Sequence, residues 1–198
     1  MITFKKLSKD KPYQEFKRKY DQAMLQDQAF IEAIAVSSFS PDTNEVDSRF
    51  VNLKIIDNKD FIFFTNYQSP KSKQFHHHDQ VSVVIFWSKI NLQIRIKAKI
   101  RKVSKEYSSN YFTSRSNEKN ALAISSFQSK EIDSYDSIKT NYNKVIASKD
   151  LTICPDYWGG FCFTPYYFEF WEGQKFRLNK RETYKLVDNS WIENILQP

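Results

Sequence analysis

Glycine is scarce in this chain of 198 residues, which holds only Gly159, Gly160 and Gly173. Proteins average about 7% glycine. A dinucleotide-binding turn or a P-loop needs several glycines where a strand meets a helix, so both are excluded. Histidine is equally rare, and its three copies, His76, His77 and His78, are consecutive. A dispersed zinc site or a Ser-His-Asp triad would have to draw on that one cluster, and no metal site is expected. The three histidines read as solvated cations or cap partners at a helix end, favourable against the helix dipole and without a catalytic role. Two cysteines, Cys154 and Cys162, supply neither a disulfide framework nor a Cys-x-x-Cys pair. They read as small hydrophobes. No window approaches the roughly 18 apolar residues of a membrane span, and residues 1–6 lack the apolar stretch of a signal peptide. A soluble, cytoplasmic protein without a membrane partner is expected.

Aromatic residues and positive charge are plentiful. The chain carries 17 Phe, 11 Tyr and 4 Trp, and 30 Lys or Arg against 23 Asp or Glu, for a net charge of +7. This length suggests one domain, large enough to bury about 70% of its unfolded surface without staples. The basic excess implies affinity for anions. It is spread along the chain and does not by itself separate nucleic acid from a small phosphate.

Pro12 in a first turn, with Asp10 able to cap, and Phe16, Tyr20 and Met24 at spacing four predict an amphipathic helix over 12–26. Strand-like runs follow at 31–39, 49–56, 61–65 and 81–87. The clearest run is 92–103, where Leu92, Ile94, Ile96, Ala98 and Ile100 alternate with Gln93, Arg95, Lys97, Lys99 and Arg101, giving one buried and one polar face. Ser69 and Pro70 open a capped helix. Further helices are predicted over 105–114 and 130–148, and strands over 160–171, 176–187 and 191–196. Many antiparallel strands with interspersed helices point to an α+β barrel in a single unit, residues 1–198. Residues 1–28 form its N-terminal helical segment.

Four places offer chemistry. The Ser69 helix start suits a phosphate, with Lys71 and Lys73 adding charge in the first turn. Arg49 and Lys54 lie on one predicted strand with opposite parity, so a bulge or strand end must intervene if both serve one pocket. Tyr111 and Arg115 are one helical turn apart and, with Lys119, form an anion clamp. Finally, all three glycines fall within 158–181, which suggests close backbone approaches there. In that segment Arg177 and Arg181 share a strand face, with Asn179 between them.

Taken in order, these segments resemble the pyridoxamine 5′-phosphate oxidase family. The residues that carry the resemblance are Arg49…Lys54, Phe64-Thr65-Asn66, Ser69-Pro70-Lys71, Gln128-Ser129, Trp158-Gly159-Gly160-Phe161, Phe170-Trp171-Glu172-Gly173 and Arg177-Leu178-Asn179-Lys180-Arg181. The resemblance implies an FMN-binding split β-barrel, antiparallel with peripheral helices. It also implies a homodimer with FMN at the subunit interface, its dimerisation and active-site strands at about 158–198. The implied reaction is oxidation of pyridoxamine or pyridoxine 5′-phosphate to pyridoxal 5′-phosphate, with hydride passing from C4′ to flavin N5 and O2 regenerating the flavin as peroxide forms. The family pattern assigns Arg49, Lys54, Thr65, Asn66, Ser69, Lys71, Gln93, Gln128, Ser129, Trp171 and Arg181 to the cofactor. It assigns Lys54, Tyr111, Arg115, Lys119, Arg177 and Asn179 to the substrate, with Arg177 and Asn179 as the catalytic pair.

The chain departs from the pattern at Pro70, where the family has Arg, at Lys119, where it has Ser, and at Asn179, where it has His. The family's N-terminal Arg-x-x-Tyr element has no match in residues 1–20. These departures keep open a relative that binds FMN or pyridoxal phosphate with little turnover, and a split-barrel flavin reductase. Lys97, Lys99 and Arg101 beside aromatics also describe a nucleic-acid-binding barrel, but no nucleic-acid partner is expected.

Overall fold

The alternation over residues 92–103 builds the central strand of the protein, whose computed structural model describes residues 1–198. In chain order the elements are β1 (Thr3–Lys5), α1 (Lys11–Leu25), β2 (Ala33–Ser40), β3 (Glu45–Asn52), β4 (Ile55–Asp57), β5 (Asp60–Asn66), α2 (Pro70–His77), β6 (Gln80–Trp87) and β7 (Leu92–Lys102). They continue with α3 (Lys105–Thr113), α4 (Asn117–Ser125), α5 (Tyr135–Ser148), β8 (Trp158–Glu172), β9 (Lys180–Val187) and β10 (Ser190–Leu196). One sheet runs β1-β4-β5-β8-β7-β6-β2-β3, with the β9–β10 hairpin added along β8. All its pairings are antiparallel except β1 with β4, a short parallel strand that the sequence reading did not anticipate. The α+β class expected from the sequence is the one found.

The inward residues of β7, Leu92, Ile94, Ile96, Ala98 and Ile100, are buried with Phe61 and Phe63 of β5, Phe161, Phe163, Phe168 and Phe170 of β8, and Tyr13, Phe16 and Tyr20 of α1. Aromatic edges meet there, as where Phe16 lies 5.1 Å from Phe61 at 85°. β8 carries inward residues of odd number at one end and even number at the other. The β7–β8 register slips between Lys97 and Ala98, leaving Tyr166 without a partner. That bulge, next to a proline that has no N–H to donate, reverses the parity, so both halves of a fifteen-residue strand face the core.

Several boundaries differ from expectation. The predicted strand 49–56 is two strands, broken at Leu53-Lys54, which is the interruption that the opposite parity of Arg49 and Lys54 required. The predicted strand 176–187 begins only at Lys180. Phe176 and Arg177 have φ of 56° and 60° in a 3-10 turn, so Arg177 does not share a strand face with Arg181. The helix expected over 130–148 starts at Tyr135. α4 has no counterpart among the predicted elements, because its apolar residues Ala121, Leu122, Ala123 and Ile124 run consecutively and mark no helical face. Asp10 stands at the N-cap of α1 but does not cap with its side chain. Its carboxylate accepts from Trp191 Nε1 at 3.2 Å and pairs with Lys59 at 2.8 Å, tying α1 to the C-terminal hairpin.

Candidate active site

The outer face of β5 and β8 carries Ile62, Cys162 and Phe64, and α3 packs there through Tyr107 and Tyr111. Gly159 and Gly160 permit that approach. A Cβ on Gly159 would lie 2.2 Å from Tyr67 Oη and 2.7 Å from Ser108 Oγ, and one on Gly160 would lie 2.7 Å from Val103. The close approach expected of these glycines is therefore present. Ser108 Oγ accepts the Gly160 N–H at 3.2 Å. The helix seated in this way stacks Tyr111 on Phe64 at 3.7 Å, Phe64 on Trp158 at 5.4 Å, and the Arg115 guanidinium over Trp158 at 4.4 Å.

Beside this stack lies a cavity of about 420 Å³ lined by Phe50, Val51 and Asn52 of β3, Lys54, Phe64, Thr65, Lys71, Tyr111, Arg115, Lys119, Gln128 and Trp158. A neighbouring hollow of about 270 Å³ adds Asn66 and Ser126. The lining holds four cations and no carboxylate. Lys71 is the most telling of them. It is 6% exposed, and its ammonium has no hydrogen-bond or ion-pair partner in the chain. Burial, with Arg49 close by, pulls its pKa down from 10.5 to about 8. The sequence reading placed Lys71 and Lys73 alike in a first turn; only Lys73 is exposed there. Arg115 donates from Nη2 to the Lys119 carbonyl at 2.9 Å, while its Nη1 is buried without a partner. Burial lowers its pKa and raises that of Tyr111. Buried, unpaired cations are costly unless an anion joins them. The donor set fits phosphate.

Arg49 is held in place by its own network. Its Nη1 donates to Ser38 Oγ at 2.6 Å and its Nη2 to Gln74 Oε1 at 3.0 Å, with Asp47 at 3.6 Å. Burial lowers its pKa, against the pull of Asp47. Ser38 and Gln74, which hold the candidate site residue Arg49, were not singled out in the sequence, because a Ser on a strand and a Gln on a helix carry no signal of their own. Lys54 lies 3.6 Å from Glu32. Gln128 Oε1 accepts from Thr65 Oγ1 at 3.0 Å and from the Asn66 N–H at 3.2 Å, so these three residues form one corner. Ser69 occupies the N-cap of α2, but its hydroxyl is fully buried and donates to the Asn66 carbonyl at 2.8 Å instead of capping. Ser129, at φ 67°, faces a separate hollow of about 180 Å³.

The remaining expected residues lie elsewhere. Gln93, Trp171 and Arg181 are in register across β7, β8 and β9, forming one outward row. Trp158 at the cavity and Trp171 in this row are thirteen residues apart on β8, about 40 Å of extended chain. Arg177 follows the exposed Phe176 in the left-handed turn, and Asn179 Oδ1 accepts the Gln174 N–H at 3.0 Å, closing that turn. One chain thus brings together Arg49, Lys54, Thr65, Asn66, Lys71, Tyr111, Arg115, Lys119 and Gln128. It gathers Gln93, Trp171, Arg177, Asn179 and Arg181 at a second locus. The basic row of β7 is largely self-paired, Lys99 with Asp79 at 2.6 Å and Arg101 with Asp60 at 2.7 Å. No helix is long and apolar enough to cross a membrane.

Comparison with known proteins identifies the family of the chain. A family model described as pyridoxamine 5′-phosphate oxidase matches residues 22–149, and one described as the pyridoxine 5′-phosphate oxidase C-terminal dimerisation region matches 158–198. The pyridoxine/pyridoxamine 5′-phosphate oxidase 1 of Hydrogenovibrio crunogenus is 33% identical over 191 residues, covering 94% of this chain and 88% of that protein. The enzyme of Haemophilus influenzae is 37% identical over 152 residues, covering 76% of this chain and 72% of that one. Among solved structures, PhzG from Burkholderia lata in complex with tetrahydrophenazine-1-carboxylic acid superimposes with a TM-score of 0.87 at 24% identity, covering 94% of this chain and 92% of that one. A pyridoxamine 5′-phosphate oxidase-related, FMN-binding protein from Nostoc punctiforme gives 0.78 at 12% identity, covering 92% and 97%. The two structures share the fold, and the sequence matches carry the assignment: the chain belongs to the pyridoxamine 5′-phosphate oxidase family.

Proposed function

We propose that this protein is an FMN-dependent oxidase of pyridoxamine or pyridoxine 5′-phosphate that works as a homodimer. The observation that carries this reading is Lys71, buried close to Arg49 with no partner for its ammonium in the chain, in the lining of a cavity that Lys54, Arg115 and Lys119 also line. Four cations lining one cavity, with Arg49 close to Lys71, suit two phosphates, one on the cofactor and one on the substrate. In this reading Arg49 and Lys71 hold the flavin phosphate, and Thr65 and Gln128 hydrogen-bond the cofactor beside it. Lys54, Tyr111, Arg115 and Lys119 grip the substrate phosphate, with the Arg115 fork aimed by its stack on Trp158. FMN, when bound, would supply the hydride acceptor and the route to O2. The chain's own work is to orient the substrate and exclude water.

The second locus completes the site from a partner copy. Gln93, Trp171 and Arg181 are assigned to the same cofactor but stand at the far end of β8. A C2 dimer brings one copy's row to the other's cavity. Large exposed apolar residues beside each locus support this, Phe50 at 77% near the cavity and Phe176 at 92% in the Arg177 turn, as does the matched dimerisation region. A second reading, a flavin-binding relative with little turnover, is favoured by Pro70, which withholds one guanidinium, and by Asn179, whose amide oxygen is committed to its turn.

A visible spectrum of the purified protein, followed by addition of pyridoxamine 5′-phosphate under air, separates the two readings. Flavin bands with pyridoxal phosphate and peroxide accumulating support the oxidase. Flavin bands without turnover support the second reading. Failure to bind added FMN overturns both.

A further inference from the structure

Beyond the bulge, the outward positions of β8 are Tyr167, Glu169 and Trp171, where a glutamate would ordinarily meet water. Glu169 is only 2% exposed. Its side chain is enclosed by two arginines from the flanking strands: Arg95, its register partner on β7, and Arg181, the register partner of Trp171 on β9. One carboxylate oxygen accepts from Arg181 Nε at 2.9 Å and Nη2 at 2.8 Å. The other accepts from Arg95 Nη1 at 2.9 Å and Tyr167 Oη at 3.0 Å. Both oxygens are therefore saturated. Arg181 Nη1 donates in turn to the Gln197 carbonyl at 2.9 Å.

We propose that Glu169 is the positioning residue for Arg181: it fixes the guanidinium in the plane that presents its free N–H groups to the flavin. Of the five N–H donors of a guanidinium, three are anchored, and two remain for a ligand with acceptor atoms on a planar edge. Glu169 stands in the adjacent outward row, between Arg95 and Thr183, and both of its oxygens are occupied within the chain, so it acts on a ligand only through Arg181. Two guanidinium charges face one carboxylate, and the surplus cation keeps the row attractive to a ring edge that carries carbonyl and nitrogen acceptors. Arg95 is the second cation on the buried Glu169 carboxylate, which holds Arg181 with its other oxygen. The inference rests on the FMN reading above and adds to it a residue that the family pattern did not assign.

The test is a double-mutant cycle read as FMN dissociation constants, from flavin-fluorescence titration of the full-length protein. Glu169→Gln keeps the shape and removes the charge. It should weaken FMN about tenfold, the loss of one charge-assisted contact, and shift the visible band of the bound flavin. Arg181→Ala should weaken FMN at least as much. The double variant should be no worse than Arg181→Ala alone, because Glu169 acts only through Arg181. Additive losses would overturn the proposal, as would an unchanged affinity in Glu169→Gln or in Arg181→Ala while the wild type binds FMN. A wild type that does not bind FMN overturns the functional reading and this inference with it. If Glu169→Gln does not fold, Glu169→Asp takes its place in the cycle. It keeps the charge but withdraws it by one methylene, and the same non-additivity is required of it.

Discussion

The two loci on β8 handle positive charge in opposite ways. At the cavity, the buried Lys71 has no partner for its ammonium in the chain, and Arg115 has none for its buried Nη1. At the other end, Arg181 is tied by three hydrogen bonds and shares a buried carboxylate with Arg95. The first arrangement costs stability until an anion arrives. The second gives up some attraction in return for a fixed direction. Phosphate, a compact charge, suits the first, and the edge of a flat ring, where angle matters more than charge, suits the second.

The largest effect expected from this contrast is complementation between loci. Lys71→Met and Arg177→Ala should each leave little oxidase activity as homodimers. Co-refolded at equal amounts, they should recover about a quarter of wild-type activity, because half the dimers carry one intact shared site. No recovery in the mixed sample would sink the shared-site arrangement.

Next, Lys71→Met should weaken FMN about ten- to hundredfold and yet stabilise the apoprotein at pH 7. A pKa pulled from 10.5 to about 8 corresponds to a cost of about 3 kcal/mol. The sign follows from proton counting. Between about pH 8 and 10.5 the unfolded chain holds a proton that the folded one has released, so wild-type apoprotein should gain stability as pH rises through that window. Below pH 8 the full cost remains. FMN affinity should fall as pH rises above 8, as the ammonium that meets the phosphate loses its proton. Urea melts and FMN titrations across this range check both trends, and Lys71→Met should show neither.

A smaller effect separates the two phosphate grips. Arg115→Ala should raise the KM for pyridoxamine 5′-phosphate about tenfold while leaving the FMN dissociation constant unchanged. Equal loss of both, read by steady-state kinetics and titration, would mean that the cavity is not divided as described. The smallest expected change is a gain: Pro70→Arg restores a guanidinium at the start of α2 and should tighten FMN a fewfold. An unchanged titration would show that Pro70 does not limit binding.

Much of the scaffold was legible because period-two alternation survives wherever one face is buried, as in β7. The opposite parity of Arg49 and Lys54 likewise called for a bulge or strand end if both were to serve one pocket, and β3 ends between them. Other features gave no such signal. Phe176 and Arg177 continue an apolar–polar alternation through a left-handed turn that has neither Gly nor Pro to mark it, so the strand was begun too early. The sequence distinguishes Lys71 from Lys73 no better than it distinguishes Glu169 from a solvated glutamate. Their burial arises from what other strands bring over them. Ser38 and Gln74, which hold Arg49, are polar residues of ordinary type, and only the β2–β3–α2 contact reveals their use.

The unpaired Tyr166 has a further consequence for how this chain can change. It is the point at which β8 switches phase, so it decouples the spacing of the two loci from the packing of the core between them. Removing that one residue would leave a regular ladder, because Pro165 and Tyr167 already face the adjacent Ala98 and Lys97, and Phe168 and Phe170 would stay opposite Ile96 and Ile94. Adding one residue to a regular stretch, by contrast, would turn Phe168 and Phe170 out to water and Glu169 and Trp171 into the barrel. Lengthening β8 by two residues keeps the phase; lengthening it by one does not. Relatives should therefore either lack the bulge residue and pair regularly, or lengthen this strand in pairs.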